Sequence, residues 1–249
     1  RIMVSNTHFS STPSGSFIHS ALCLLFGDTL AEAAMEHLST YAVMLTILTL
    51  FQLVNFFSSG ALHDVDLRPR DFPVGFVGLL VSPLVEESFG MFVFNMIPFS
   101  IQMLYILARG GTHLATVLTF LGSGVGGILT WLLARQDSRF CGVGPLIATY
   151  GLYLTVSGFF SEKKREMILG SGCFIAYVFL ACLLSENAKM ICWEGITFCG
   201  LIGGGFAYYA RNANQDSSDV LWKKVPDDIL CDDDEDALED PPEVVEDDL

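Results

Sequence analysis

Twenty-one consecutive residues, Ser39 to Ser59 (STYAVMLTILTLFQLVNFFSS), carry no charge. A helix needs about 20 mostly apolar residues to cross the hydrocarbon core of a bilayer, and this stretch has the length and the composition to do so. Comparable stretches follow at about Ser88 to Ala108, Thr112 to Ala134, Gly144 to Phe160, Met167 to Leu184 and about Met190 to Ala210. The pattern predicts an all-α integral membrane protein with six transmembrane helices over residues 39–211. Composition agrees: 16% of residues are charged and 51% hydrophobic, where a soluble domain carries about 25% charged residues.

Charge is unevenly placed. Of 28 acidic residues, nine Asp and four Glu fall between Val225 and Leu249, a segment with no Lys or Arg; the rest of the chain holds 15 acids against 13 bases. A near-neutral apolar body therefore carries an acidic tail over 212–249. Nucleic-acid binding is excluded, because it needs clustered Lys and Arg facing phosphate. The tail cannot form an EF-hand, which requires a central Gly; it contains none. It reads as a solvated segment, with Asp232, Asp233, Asp234, Glu235 and Asp236 as the place where a basic soluble partner would bind.

Seven cysteines (23, 141, 173, 182, 192, 199 and 231) form no CxxC pair, and five lie in or beside apolar runs. They read as small buried residues rather than as a disulfide or zinc framework. No metal and no cofactor is expected.

Residues 1–38 read as an N-terminal segment with one short interfacial helix from Leu30 to about Leu38, its start marked by the capping-box spacing of Thr29 and Glu32. The first 27 residues contain no acid and are rich in Ser and Thr. That resembles the mature edge of an organelle transit peptide and favours a mitochondrial or plastid origin. Between the first two spans, Gly60 to Glu87 is too long for a tight turn. Pro73 and Pro83 bracket only nine residues of its apolar half, so it reads as a loop resting in the interface. Pro98 is expected to kink the second span. Eight Lys and Arg against five place both termini inside, and Tyr208, Tyr209 and Trp222 read as interface anchors.

Gly122-Ser-Gly124-Val-Gly126-Gly127 matches the G-x-G-x-x-G fingerprint, but it lies inside an apolar run without the strand that dinucleotide binding needs. Gly122 and Gly126, and likewise Gly200 and Gly204, instead have the small-xxx-small spacing that lets membrane helices approach closely. Asn55, Asn95, Gln102 and Glu194 are polar groups inside spans, where unpaired polarity is costly. Asn95 should need a partner, whereas Glu194 can reach the headgroups. These residues make no ionisable chain across the membrane, which disfavours a small-solute transporter.

The order and content of the spans resemble the rhomboid superfamily over residues 39–211. Met91-Phe-Val-Phe-Asn95 resembles the His-x-x-x-Asn stretch of the second helix. Cys141-Gly142-Val143-Gly144-Pro145 stands where rhomboids carry Gly-x-Ser-Gly. Cys192-Trp193-Glu194-Gly195, on through Gly200 and Gly204, resembles the Ala-His-x-x-Gly-x-x-x-Gly helix. The resemblance implies a six-helix rhomboid-like bundle with an interfacial first loop. It puts the nucleophile position at Gly144, the base position at Trp193 and the oxyanion-stabilising positions at Met91 and Asn95, of which Asn95 alone is retained.

The chain has no His after His113, so the last span holds no His to act as a general base. Cys141 and Ser157 have no visible base either, and a nucleophile needs one or a depressed pKa. Gly144-Pro145 also has a simple structural role, as a helix start. The resemblance therefore implies a pseudoenzyme, a catalytically inactive rhomboid. Such a protein is expected to act as a structural or adaptor subunit that sits in membrane lipid and binds the transmembrane helices of other proteins in a hetero-oligomeric complex. The mitochondrial inner membrane is the favoured setting. A derlin-like quality-control factor of the endoplasmic reticulum is the alternative. Replacing Asn95 by Leu is expected to be tolerated if it faces an emptied active site.

Overall fold

A computed structural model describes residues 13–58, 60–62, 66–184 and 191–222. Among these the protein is all-helical: α1 (Pro13–Phe26), α2 (Asp28–Glu36), α3 (Leu38–Phe57), α4 (Val74–Val81), α5 (Phe89–Phe120), α6 (Gly126–Leu133), α7 (Gly144–Phe160), α8 (Lys164–Leu184) and α9 (Trp193–Trp222). A 3₁₀ turn, Ser82–Leu84, follows α4, and a π-helical turn, Leu121–Val125, joins α5 to α6. Residues 1–209 form one compact unit and 210–249 a second, described as far as Trp222 and helical to that point.

Three stretches are long and apolar enough to cross a bilayer: Leu38–Phe57, Phe89–Leu133 and Lys164–Leu183. Helix occupies all six expected positions, but among the described residues the other three do not form separate stretches of that kind. Two of the six share the single 45-residue stretch Phe89–Leu133. The fourth expected span is α7, with 17 residues, and the sixth is α9, whose first turns carry polar and small residues.

The 45-residue stretch is not a rod. At Gly111 the backbone leaves helical geometry, with φ 64 and ψ −167, a region open mainly to glycine. Met103 and Leu107 before this point line the same cleft as Ala115 and Thr119 after it, so the chain doubles back as a helical hairpin. Pro98, the expected kink, sits buried within α5, and the break lies 13 residues further on, at the polar Arg109-Gly110-Gly111 step.

α7 is the central helix. It is apolar on every side, and Leu146, Ile147, Ala148, Tyr150 and Leu154 are fully enclosed, which is the pattern of a helix with neighbours all round. Its backbone meets that of α8 directly: a Cβ on Gly170 would stand 2.6 Å from Gly151 O and 2.7 Å from Thr155 N. From α5, Phe99 stacks on Tyr150 with ring centroids 6.0 Å apart, and the Tyr150 hydroxyl lies 2.6 Å from Thr119 Oγ1. α3 is peripheral and buries Leu48, Gln52 and Asn55.

The N-terminal segment differs from the expectation of one interfacial helix. It forms two helices, α1 and α2, joined at Gly27 with φ 88. The capping box of Thr29 and Glu32 is not made, because α2 starts at Asp28 and puts Thr29 inside its first turn. Leu22, Phe26, Ala31 and Ala34 are buried in the main core, and Phe26 meets Tyr105 edge-on at 5.3 Å. Nearby, Arg109 pairs with the buried Glu166, which Lys163 also approaches at 3.5 Å.

The segment after α3 is more ordered than an interfacial loop. α4 packs so closely that a Cβ on Gly78 would stand 2.6 Å from Leu67 Cα. Arg70 donates from its backbone N to Trp131 O at 3.0 Å and from Nη2 to Ala134 O at 2.8 Å. The guanidinium thus satisfies the Ala134 carbonyl at the α6 C-terminus, where the helix dipole favours a cation. Trp131 Nε1 donates in return to Asp71 O at 3.1 Å.

Candidate functional site

Three loops meet at the head of α7. Phe140 N donates to Leu67 O at 3.3 Å and Cys192 N to Arg139 O at 3.2 Å, so the segments before α5, α7 and α9 line up side by side. Between them and the helix ends lies a cavity of about 280 Å³ whose lining includes Asp66, Glu86, Glu87, Met91, Arg139, Cys141, Pro145, Tyr177, Cys192 and Ile196.

Glu86 organises this site and is 3% exposed. Its Oε1 accepts from Asn95 Nδ2 at 3.1 Å and from Val143 N at 2.9 Å. Its backbone N donates to Gln52 Oε1 at 2.9 Å. One residue of the loop thereby reaches α3, α5 and the start of α7. Val143 N precedes the first turn of α7 and has no acceptor within the helix, so a carboxylate there is favoured by both hydrogen bonding and the helix dipole. Gly142 is fitted to this arrangement. Its φ is +81, its N donates to Ser82 O at 2.7 Å, and a Cβ on it would overlap the Glu86 carboxylate.

The positions carried over from the rhomboid resemblance can now be located. Met91 is buried and lines the cavity. Asn95 is bound to Glu86, so it faces a carboxylate and not an empty site; the expected tolerance of Leu at this position is reversed, because Leu would strip a buried charge of a donor. Gly144 sits behind Tyr177, and a Cβ there would overlap the Tyr177 hydroxyl and stand 2.5 Å from Cζ. Trp193 does not line the cavity; α9 offers Ile196 instead, one turn further on. Cys141 is half-buried, and burial, aided by the Asp66, Glu86 and Glu87 carboxylates, pushes its thiol well above its ordinary pKa. That is opposite to what an activated cysteine requires.

The packing glycines lie at helix crossings. A Cβ on Gly122 would overlap Thr149 Oγ1, and one on Gly126 would overlap Cys199 Sγ. Cys199 Sγ donates to Gly122 O at 3.2 Å, and Thr149 Oγ1 lies 3.1 Å from Cys199 O, which ties the π-helical turn, α7 and α9 together. A Cβ on Gly200 would stand 2.7 Å from Leu152 Cδ1, whereas one on Gly204 would make only ordinary contact with Val156 at 3.4 Å. The closest approach is at Gly203, where a Cβ would overlap Thr149 O.

Of the remaining polar groups, Asn55 Oδ1 accepts from Leu62 N at 3.2 Å. Glu194 does not simply reach toward headgroups: its Oε1 accepts from Arg135 Nε at 2.6 Å. Gln102 is fully buried with neither amide atom hydrogen-bonded. Among the described residues, no group of three His, Cys, Asp or Glu could hold a metal ion. Asp232, Asp233, Asp234, Glu235 and Asp236 lie outside the described residues.

Sequence reasoning missed Glu86, Tyr177, Gln52 and Gly203. Glu86 could have been found as the acid next to a span whose Asn95 needs a partner, and Gln52 by the same test of polarity within a span. No family model, curated protein or solved structure matches this chain.

Proposed function

We propose that the chain is a six-span, rhomboid-like membrane protein without catalytic activity. It serves as a structural or adaptor subunit that holds transmembrane helices of partner proteins, within a complex of the mitochondrial inner membrane. The observation that carries this reading is the convergence of Met91, Asn95 and Gly144 on the head of α7, with the Tyr177 hydroxyl in the space a side chain at 144 would need. Gly144 is far in the chain from Met91 and Asn95, and only the resemblance suggested that the three belong together.

The acid-base chemistry supports inactivity. Nucleophilic attack requires a nucleophile within reach of a base. Gly144 has no side chain, Ile196 and Trp193 on α9 cannot take a proton, and the Asn95 amide is committed to Glu86. What remains is a cavity in which apolar Met91 and Ile196 stand beside Asp66, Glu86, Glu87 and Arg139.

The test is to solubilise native membranes gently, capture the protein by its tail, and identify partners by native gel and mass spectrometry. Stoichiometric migration in one large inner-membrane complex is the expected result. Substoichiometric contact with many unrelated clients, chaperones or ubiquitin ligases would overturn the reading in favour of a derlin-like factor.

A further inference from the structure

We propose that the cleft between α3 and the two arms of the α5 hairpin seats one acyl chain of a membrane phospholipid, with the lipid phosphate at the polar turn of the hairpin. The cleft has a volume of about 300 Å³. Its floor is apolar and buried, formed by Met103, Leu107 and Ala115, and Thr40 and Met44 of α3 complete it. Thr112, Thr116 and Phe120 also line it and are exposed. Their i, i+4 spacing puts them in one row on the helix, so the cleft is open sideways along its length.

The hydroxyls in the cleft are turned away from it. Thr116, Thr119 and Ser123 donate to the carbonyls of Thr112, Ala115 and Thr119 at 2.7, 2.7 and 2.6 Å. Their protons are committed to their own helix, and an alkyl chain lying there displaces no hydrogen bond between them. Depth and volume then select the occupant. From Thr112, beside the polar Arg109-Gly110-Gly111 turn, to Ser123 is roughly 16 Å of helix, and one leaflet of hydrocarbon is about 15 Å deep. A single turn of a partner's helix, about 10 Å wide and 5.4 Å tall, needs roughly 400 Å³. The cleft is too small for that and has the depth of a lipid chain.

The mouth complements a phosphate. The break at Gly111, with φ 64, makes Thr112 the start of a new helical segment. The first N–H groups of such a segment have no partner within it and carry the positive end of the dipole. The His37 ring stands beside this start, its Nε2 3.5 Å from where a Cβ on Gly111 would be. The proposal rests on the membrane placement of α3 and α5 in the reading above, and no partner protein enters it.

The test uses the full chain in phosphatidylcholine vesicles in which a small share of the lipid carries a diazirine midway along one chain. After illumination, labelled residues are mapped by mass spectrometry. Bulk lipid reaches the exposed α3 residues Ile47 and Leu50, whereas only a chain inside the cleft touches the buried Met103 and Leu107. Label on all four is expected. Label on Ile47 and Leu50 with none on Met103 or Leu107 would overturn the proposal and leave the membrane placement intact; no label on any of the four would overturn both.

Two comparisons sharpen the result. Thr116→Trp sets an indole at the open side and should abolish labelling of Met103 and Leu107. Val43→Trp, on the exposed face of α3 outside the cleft lining, should not. Floor labelling that persists in a folded Thr116→Trp protein would overturn the proposal. The second comparison needs no variant. A diacylglycerol with the same chains and diazirine but no phosphate should label Met103 and Leu107 about tenfold less, the factor that one charge-assisted hydrogen bond supplies, while labelling Ile47 and Leu50 equally. Equal floor labelling by both lipids would overturn the seat for a phosphate at Gly111, and with it the assignment to a phospholipid.

Discussion

The hydroxyl of Tyr177, on α8, occupies the space into which a side chain on Gly144, at the start of α7, would project. The two residues are complementary: the larger is buried to within 4% because the smaller has nothing beyond Cα. This contact fastens α8 to the head of the central helix and bears directly on the effect of placing a side chain at position 144.

Gly144→Ser should therefore yield a destabilised protein without protease activity. Forcing atoms into a packed site costs about 1–3 kcal/mol, which a lowered melting temperature in detergent would register. Adding Tyr177→Ala should recover part of that loss relative to the sum of the single changes, since the residues share one space. Cleavage of a standard transmembrane substrate by Gly144→Ser would contradict both the packing and the inactivity.

Asn95→Leu should destabilise, because it leaves the buried Glu86 carboxylate with fewer donors. A hydrogen bond to a charged group contributes about 1.5–3 kcal/mol, and losses in that range are expected in denaturation. The double variant Asn95→Leu/Glu86→Leu should recover part of this loss, since removing both members of a buried pair is cheaper than removing one. Additive losses would show that the two side chains act independently.

Gln102→Met should raise stability. The amide is fully buried and hydrogen-bonds to nothing, and an unpaired buried polar group costs about 1–3 kcal/mol. Met has similar volume and no amide to satisfy. A lower melting temperature for Gln102→Met would mean that the amide contributes to stability in the folded protein.

α9 offers a position-by-position test of its packing on α7. Gly203→Ala places a methyl against the Thr149 backbone, which cannot move as a side chain end can, and should cost about 1–3 kcal/mol. Gly205→Ala meets nothing within 4 Å and should be neutral or stabilise by up to about 1 kcal/mol through helix propensity. Equal effects at both positions would refute the described face of α9.

The apolar runs made the helices legible, since a 20-residue uncharged stretch has few alternatives, and the Arg109-Gly110-Gly111 step marked the hairpin turn. The site was less legible because its bonds are long-range: Glu86 and Val143 are 57 residues apart, and nothing local distinguishes Glu86 from Glu87. Tyr177 looks like any aromatic in an apolar helix until Gly144 is beside it. Small-xxx-small spacing pointed to Gly200 and Gly204, but the rotation of α9 brings Gly203 against Thr149. One short interfacial helix is expected from Leu30 to about Leu38; that Ala31 and Ala34 are buried in the core instead depends on packing against distant helices that no local signal reveals.

Cys141 supplies a pH test that needs no mutation. Burial and the neighbouring carboxylates both oppose loss of its proton, and the thiolate is the form that reacts with maleimide. A free thiol, with a pKa of about 8.5, nears its maximum rate a little above that pH. The raised pKa means that the Cys141 rate at pH 7 should lie well below that of a free thiol. It should still be climbing at a pH where the free thiol has levelled off, for as long as the fold survives. A plateau near the free-thiol value would place Cys141 in a wet, electrically neutral setting, contrary to the carboxylate-lined cavity at the head of α7.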